Sequence, residues 1–160
     1  MDFEHRLQKA IERGHKRKQA ELHEARRREM TEQEIKSLHT QYRLLLSEHI
    51  ENCIKKLANH FPGFQYETLY GERGWGAACS RDDIEMRGGK RVNHFSRLEM
   101  TIRPFSSAHV LELAAKGTIR NKEVFNRVHY EPIPDVDPQD FIELIDLWVL
   151  EYAELYAAKQ

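Results

Sequence analysis

The stretch ACSRDDIEMRGGKRVNHFSR, residues 78–97, gathers arginines, two aspartates, a histidine and serines around one Gly-Gly pair. These residue types have complementary chemistry. An aspartate facing a histidine orients the imidazole and favours its charged form. An arginine with serine and asparagine beside it can hold a carboxylate or a phosphate. If Gly88-Gly89 is a two-residue turn, Arg81 opposes Ser96 and Asp83 opposes His94, all four on one sheet face. Extending the rows across two further strands brings Gly117 and Asn126 beside Ser96, and the glycine leaves room there. Arg81, Asp83, His94, Ser96 and Asn126 are therefore the candidate lining of a small anion-binding pocket. Ser96 stands one row from His94, so no activated nucleophile is assigned and no residue is taken as catalytic.

Other reactive residues carry less. Cys53 and Cys79 have no paired spacing, which argues against both a disulfide framework and a zinc site. His94, His109 and His129 fall on successive strands, but the expected register separates the first two and turns His129 to the opposite face. No metal and no cofactor is expected. Cys79 lands beside Leu98 as core packing. GERGWG lacks the strand-loop-helix setting of a phosphate cradle and reads as a hairpin turn. On the opposite face Arg97, Lys116 and Arg127 share a row that could attract an anion.

These positions depend on five runs of strand character, near 64–70, 75–87, 90–104, 109–120 and 123–131. Short polar links make them an antiparallel meander. An Asn121-Lys122 turn would pair Ile119 with Val124, Ala115 with Val128 and Leu113 with Tyr130. Between those hairpins Met100 would meet Leu113. The covered face is then Trp75, Leu98, Met100, Ile102, Leu111, Leu113, Val128 and Tyr130. Arg97, Glu99, Glu112, Lys116, Arg127 and His129 face water.

Helices must cover the apolar face. Residues 2–30 are helix-favouring but almost wholly polar, a charged arm separate from a single α+β domain over 31–160. Thr31-Glu-Gln-Glu34 is a capping-box pattern, so residues 1–60 form either one long helix or two. The apolar spacing from Ile35 to Leu57 carries a helix to about Asn59, before Pro62-Gly63. A last amphipathic helix starts at Asp137-Pro138 and holds more apolar surface than one sheet face can bury.

Charge is divided along the chain. Residues 1–30 carry nine Lys/Arg against six Asp/Glu, whereas residues 131–160 carry eight Asp/Glu against Lys159 alone. A basic arm and an acidic C-terminal surface can meet each other or a partner. Interleaved acids make Lys16-Arg17-Lys18 and Arg26-Arg27-Arg28 a poor nucleic-acid arm. No run approaches the roughly 20 apolar residues of a membrane span, and no secretory signal opens the chain. The expectation is a cytoplasmic, non-enzymatic interaction or assembly module, dimeric or joined to a protein partner through its C-terminal helix. The alternative is a domain binding a small anionic ligand between sheet and helices.

Overall fold

The structure, a computed structural model, describes residues 2–159, apart from the side chains of residues 27–29. The chain divides into two units, Met1–Ile35 and Lys36–Gln160.

In the first unit, helix α1 spans Phe3–Glu29. Asp2 caps it, its carboxylate accepting from His5 N at 2.9 Å. Residues 3–26 are exposed along its whole length, its few large apolar side chains Phe3, Leu7, Ile11 and Leu22 included. Of the tri-arginine run, the side chains of Arg27 and Arg28 lie outside the described residues. Met30 is extended, and helix α2 (Glu32–His60) starts afresh. Thr31 Oγ1 accepts from Glu34 N at 3.2 Å, the first arm of a capping box. There are two helices.

In the second unit, α2 buries Leu46, Ile50, Ile54 and Leu57. Five strands follow: β1 (Gln65–Leu69), β2 (Trp75–Arg87), β3 (Lys90–Ile102), β4 (Val110–Ile119) and β5 (Lys122–Pro132). They form one antiparallel meander in sequence order. The first two registers are those expected, with Tyr66 opposite Cys79 and Trp75 opposite Ile102. Between β3 and β4 the pairing lies two residues away, Met100 meeting Ala115 instead of Leu113. An even slip preserves the faces. Leu98, Met100, Ile102, Leu111, Leu113 and Ala115 are all buried, while Trp75 is half-buried beneath the Arg43 guanidinium.

The last strand corrects the expected register. The turn is Arg120-Asn121, both left-handed (φ 47° and 71°), a geometry suited to a two-residue hairpin. It sets Ile119 opposite Lys122, and the ladder then shifts between Gly117 and Thr118. Val124 is the extra residue, since Thr118 pairs with Glu123 and Gly117 with Phe125. Every later side chain of β5 changes face. Val128 and Tyr130, expected on the covered face, are 54% and 63% exposed. Arg127 and His129, expected in water, turn toward the helices. The inversion buries Phe125, a gain of about 2–3 kcal/mol over leaving such a ring in water.

After a short 3-10 turn, Ile133–Asp135, helix α3 runs from Pro138 to Lys159. Asp137 Oδ1 accepts from Gln139 N at 3.0 Å, with proline in the first turn. Phe141, Ile145, Trp148, Val149, Tyr152 and Tyr156 are buried. Tyr152 donates to Thr118 O on β4 at 2.8 Å and stacks near Phe125. Arg127 grips Glu151 with both guanidinium NH2 groups, one at 2.9 Å, and His129 packs edge-on to Phe141 at 5.1 Å. Helices α2 and α3 lie side by side and parallel, linked at Tyr42–Val136, His49–Asp146 and Phe61–Tyr156. Among the described residues no helix is long and apolar enough to cross a membrane.

Candidate functional site

The β2–β3 hairpin outruns its neighbours. Its pairing with β4 stops at Arg97 and with β1 at Ser80, so residues 81–96 extend past both ladders, held on the β3 side by Asn121, whose N–H donates to Phe95 O and whose Oδ1 accepts from Phe95 N, each at 2.8 Å. There a hollow of about 360 Å³ is lined by Arg81, Asp83, Glu85, His94 and Arg120, together with Tyr156 and Lys159 of α3. Alternation along β2 and β3 aims the hairpin residues to one side. Arg81 Nε donates to Asp83 Oδ1 at 2.8 Å, and its NH1 donates to the Pro62 carbonyl. His94 Nε2 meets Glu85 Oε2 at 2.9 Å. Glu85 also accepts from Arg87 Nε at 3.0 Å and stands 3.7 Å from Arg120. The Arg87 hydrogen bond, then that of His94, hold the Glu85 carboxyl below the usual carboxylate range. Lys159 has no ion pair among the described residues.

Of the five residues singled out in the sequence, Arg81, Asp83 and His94 meet in this hollow. Asp83 does oppose His94 in the ladder, yet the imidazole bonds Glu85 and the aspartate bonds Arg81. Ser96 is fully buried, and its hydroxyl accepts from Arg120 N at 3.0 Å, fixing the β4–β5 turn. Asn126 projects from the other sheet face, opposite Lys116. It borders a wider groove of about 780 Å³ with Arg97, Thr101 and Lys116. The bulge at Val124 causes that change of side. Nor does the Arg97–Lys116–Arg127 row exist: Arg97 reaches Glu67 at 2.9 Å, and Arg127 belongs to Glu151. Glu85 shares the parity of Asp83 and was readable from β2 alone. The contribution of α3 was not.

A second cluster lies in the seam between α2 and α3. His49 Nε2 is 2.7 Å from Asp146 Oδ1 and 3.5 Å from Cys53 Sγ, which is 3.4 Å from the same carboxylate oxygen. Helical spacing puts His49 and Cys53 on one face of α2. Burial, then the Asp146 carboxylate, push the Cys53 thiol up to about 11, so it is protonated at neutral pH. One ring nitrogen serves both thiol and carboxylate, whereas a nucleophile–base–acid relay needs one nitrogen for each. Nucleophilic catalysis is not what this arrangement performs. Cys79 is buried in the core, its thiol pushed up to about 12 by that burial. The only sequence signal for the seam cluster is the four-residue interval from His49 to Cys53; Asp146 stands among five acids on α3.

Comparison with family models, with curated proteins and with solved structures gave no match for this chain.

Proposed function

We propose that this protein is a non-enzymatic assembly module that pairs with a second copy of itself through its helices. The observation carrying this reading is the outward stripe of α3. Leu147 and Leu150 are 59% and 66% exposed and lie between Glu143 and Glu154 at helical spacing. Leu44 and Leu45 of α2 are exposed as well. The complementary chemistry is on α1, which has nine Lys/Arg against five Asp/Glu and exposes Phe3, Leu7, Ile11 and Leu22. An acid-flanked apolar stripe and a basic helix with an apolar stripe suit one another. Sedimentation of the full chain tests the reading. The wild type is expected to be a dimer, and Leu147→Glu/Leu150→Glu a monomer with unchanged far-ultraviolet dichroism. A wild-type monomer throughout the micromolar range overturns it, as does a double variant that still dimerises.

A second reading, binding of a small anion in the hollow at the sheet end, is favoured by Lys159, which lines it with Arg81 and Arg120 and has no ion pair among the described residues. Calorimetric titration with pyrophosphate should show Lys159→Ala and Arg81→Ala each weakening binding by about tenfold, the worth of one charge-assisted hydrogen bond. No heat from the wild type would dismiss this reading.

A further inference from the structure

Next to the cluster along the two helices, Ile50 and Ile54 of α2 and Ile145 and Val149 of α3 are buried. Into the seam the chain places an imidazole, a thiol and a carboxylate whose donor atoms all lie within 4.8 Å of one another. We propose that His49 Nε2, Cys53 Sγ and Asp146 Oδ1 form a site for a divalent metal of the zinc class, which ties α2 to α3. Donor geometry carries the proposal. Tetrahedral zinc with ordinary bond lengths requires sulfur-to-nitrogen and sulfur-to-oxygen edges of about 3.6 Å and a nitrogen-to-oxygen edge of about 3.4 Å. The sulfur edges here are 3.5 and 3.4 Å. Only the nitrogen-to-oxygen edge, at 2.7 Å, must open, because it is now a hydrogen bond.

The donor set selects the ion. Thiolate with imidazole favours zinc or cobalt over magnesium or calcium, which take oxygen. Three protein donors leave the fourth position to water. Side chains of His49 and Asp146 remain 29% and 48% accessible, so the ion has an entry path. On binding, the metal takes a lone pair from each donor. The Cys53 proton passes to solvent, and the His49–Asp146 hydrogen bond is given up as Nε2 loses its proton and the neutral ring carries its one proton on Nδ1. Thiolate and carboxylate together balance the two positive charges of the ion. Lys56, whose charge reaches Cys53, acts against it.

Cobalt and zinc titrations of the full chain test the site. One equivalent of Co²⁺ should produce the thiolate-to-cobalt charge-transfer band with the visible bands of four-coordinate cobalt. Zn²⁺ should displace it, raise the melting temperature and protect one thiol from Ellman's reagent. Cys53→Ser should abolish the charge-transfer band. His49→Gln and Asp146→Asn should each weaken zinc binding by at least about tenfold, since even loss of an outer hydrogen-bond partner costs that much. Dichroism of each variant identifies any that fails to fold, and the other two then decide. A wild type without the band, or variants that fold and bind as it does, would overturn the proposal. The latter result would place the metal on other histidines.

Discussion

His39 is 2% exposed, one of two buried polar side chains in the core among the described residues. Its Nε2 meets the Arg103 carbonyl at 3.2 Å, and its ring packs edge-on against Phe105. The carbonyl accepts, so Nε2 carries the proton of a neutral ring. Burial holds the imidazole below its ordinary value of 6.5, with the Arg43 charge adding to the effect and the Arg103 hydrogen bond opposing it. The sign follows from which state binds more protons. As pH falls through 6.5 the unfolded chain protonates this histidine before the folded chain does, so stability is lost on the acid side. Urea midpoints between about pH 7.5 and pH 5.5 should therefore fall less steeply for His39→Gln than for the wild type. Equal slopes would mean that His39 charges freely in the fold. Glu85 and Glu151, both held below the usual carboxylate range, act lower: their stabilisation is lost as pH falls through the carboxylate range.

At the level of elements, the β4–β5 hairpin decides which side chains the helices meet. Gly117 is central to it. A Cβ at that position would stand 2.5 Å from Cε1 of Phe125, whose ring is held between Tyr152 and the Arg127 guanidinium. The space left by the missing side chain is thus filled by Phe125, not kept for a ligand. Gly117→Ala should cost about 1–3 kcal/mol as an overpacked site, although alanine is ordinarily better than glycine within a strand. A double cycle with Phe125→Leu should recover part of that loss, read from urea unfolding. An unchanged stability for Gly117→Ala would place Phe125 elsewhere and remove the bulge-shifted register.

For the whole molecule, the net charge of −1 conceals a strong separation, with α1 basic and α3 carrying five acids against Lys159. If copies join by bringing those surfaces together, added salt must weaken them, because the screening length falls to about 8 Å at physiological ionic strength. The dimer expected from sedimentation should accordingly dissociate several-fold more readily at high salt. A dimer indifferent to salt, yet broken by Leu147→Glu/Leu150→Glu, would assign association to the leucine stripe alone. This dependence also separates assembly from the metal proposed for the seam, whose removal should change melting temperature within one chain.

The sequence by itself determined the α+β class, the meander, the capped start of α2 at Thr31 and the start of α3 at Asp137, because each rests on local chemistry. Alternation likewise determined which side Arg81, Asp83 and His94 share, since that requires only the Gly88-Gly89 turn. It could not determine Asn126. Between that residue and β3 lie a turn whose left-handed pair is Arg120-Asn121 and a one-residue bulge, and a single inserted residue inverts a strand. Local propensity scarcely distinguishes the two faces of β5. Burial of Phe125 over Gly117 and the grip of Arg127 on Glu151 distinguish them, and both need α3 in place. The same holds for the meeting of His49 and Cys53 with Asp146. Tertiary packing alone brings those residues together, because more than ninety positions of chain separate the two helices at that point.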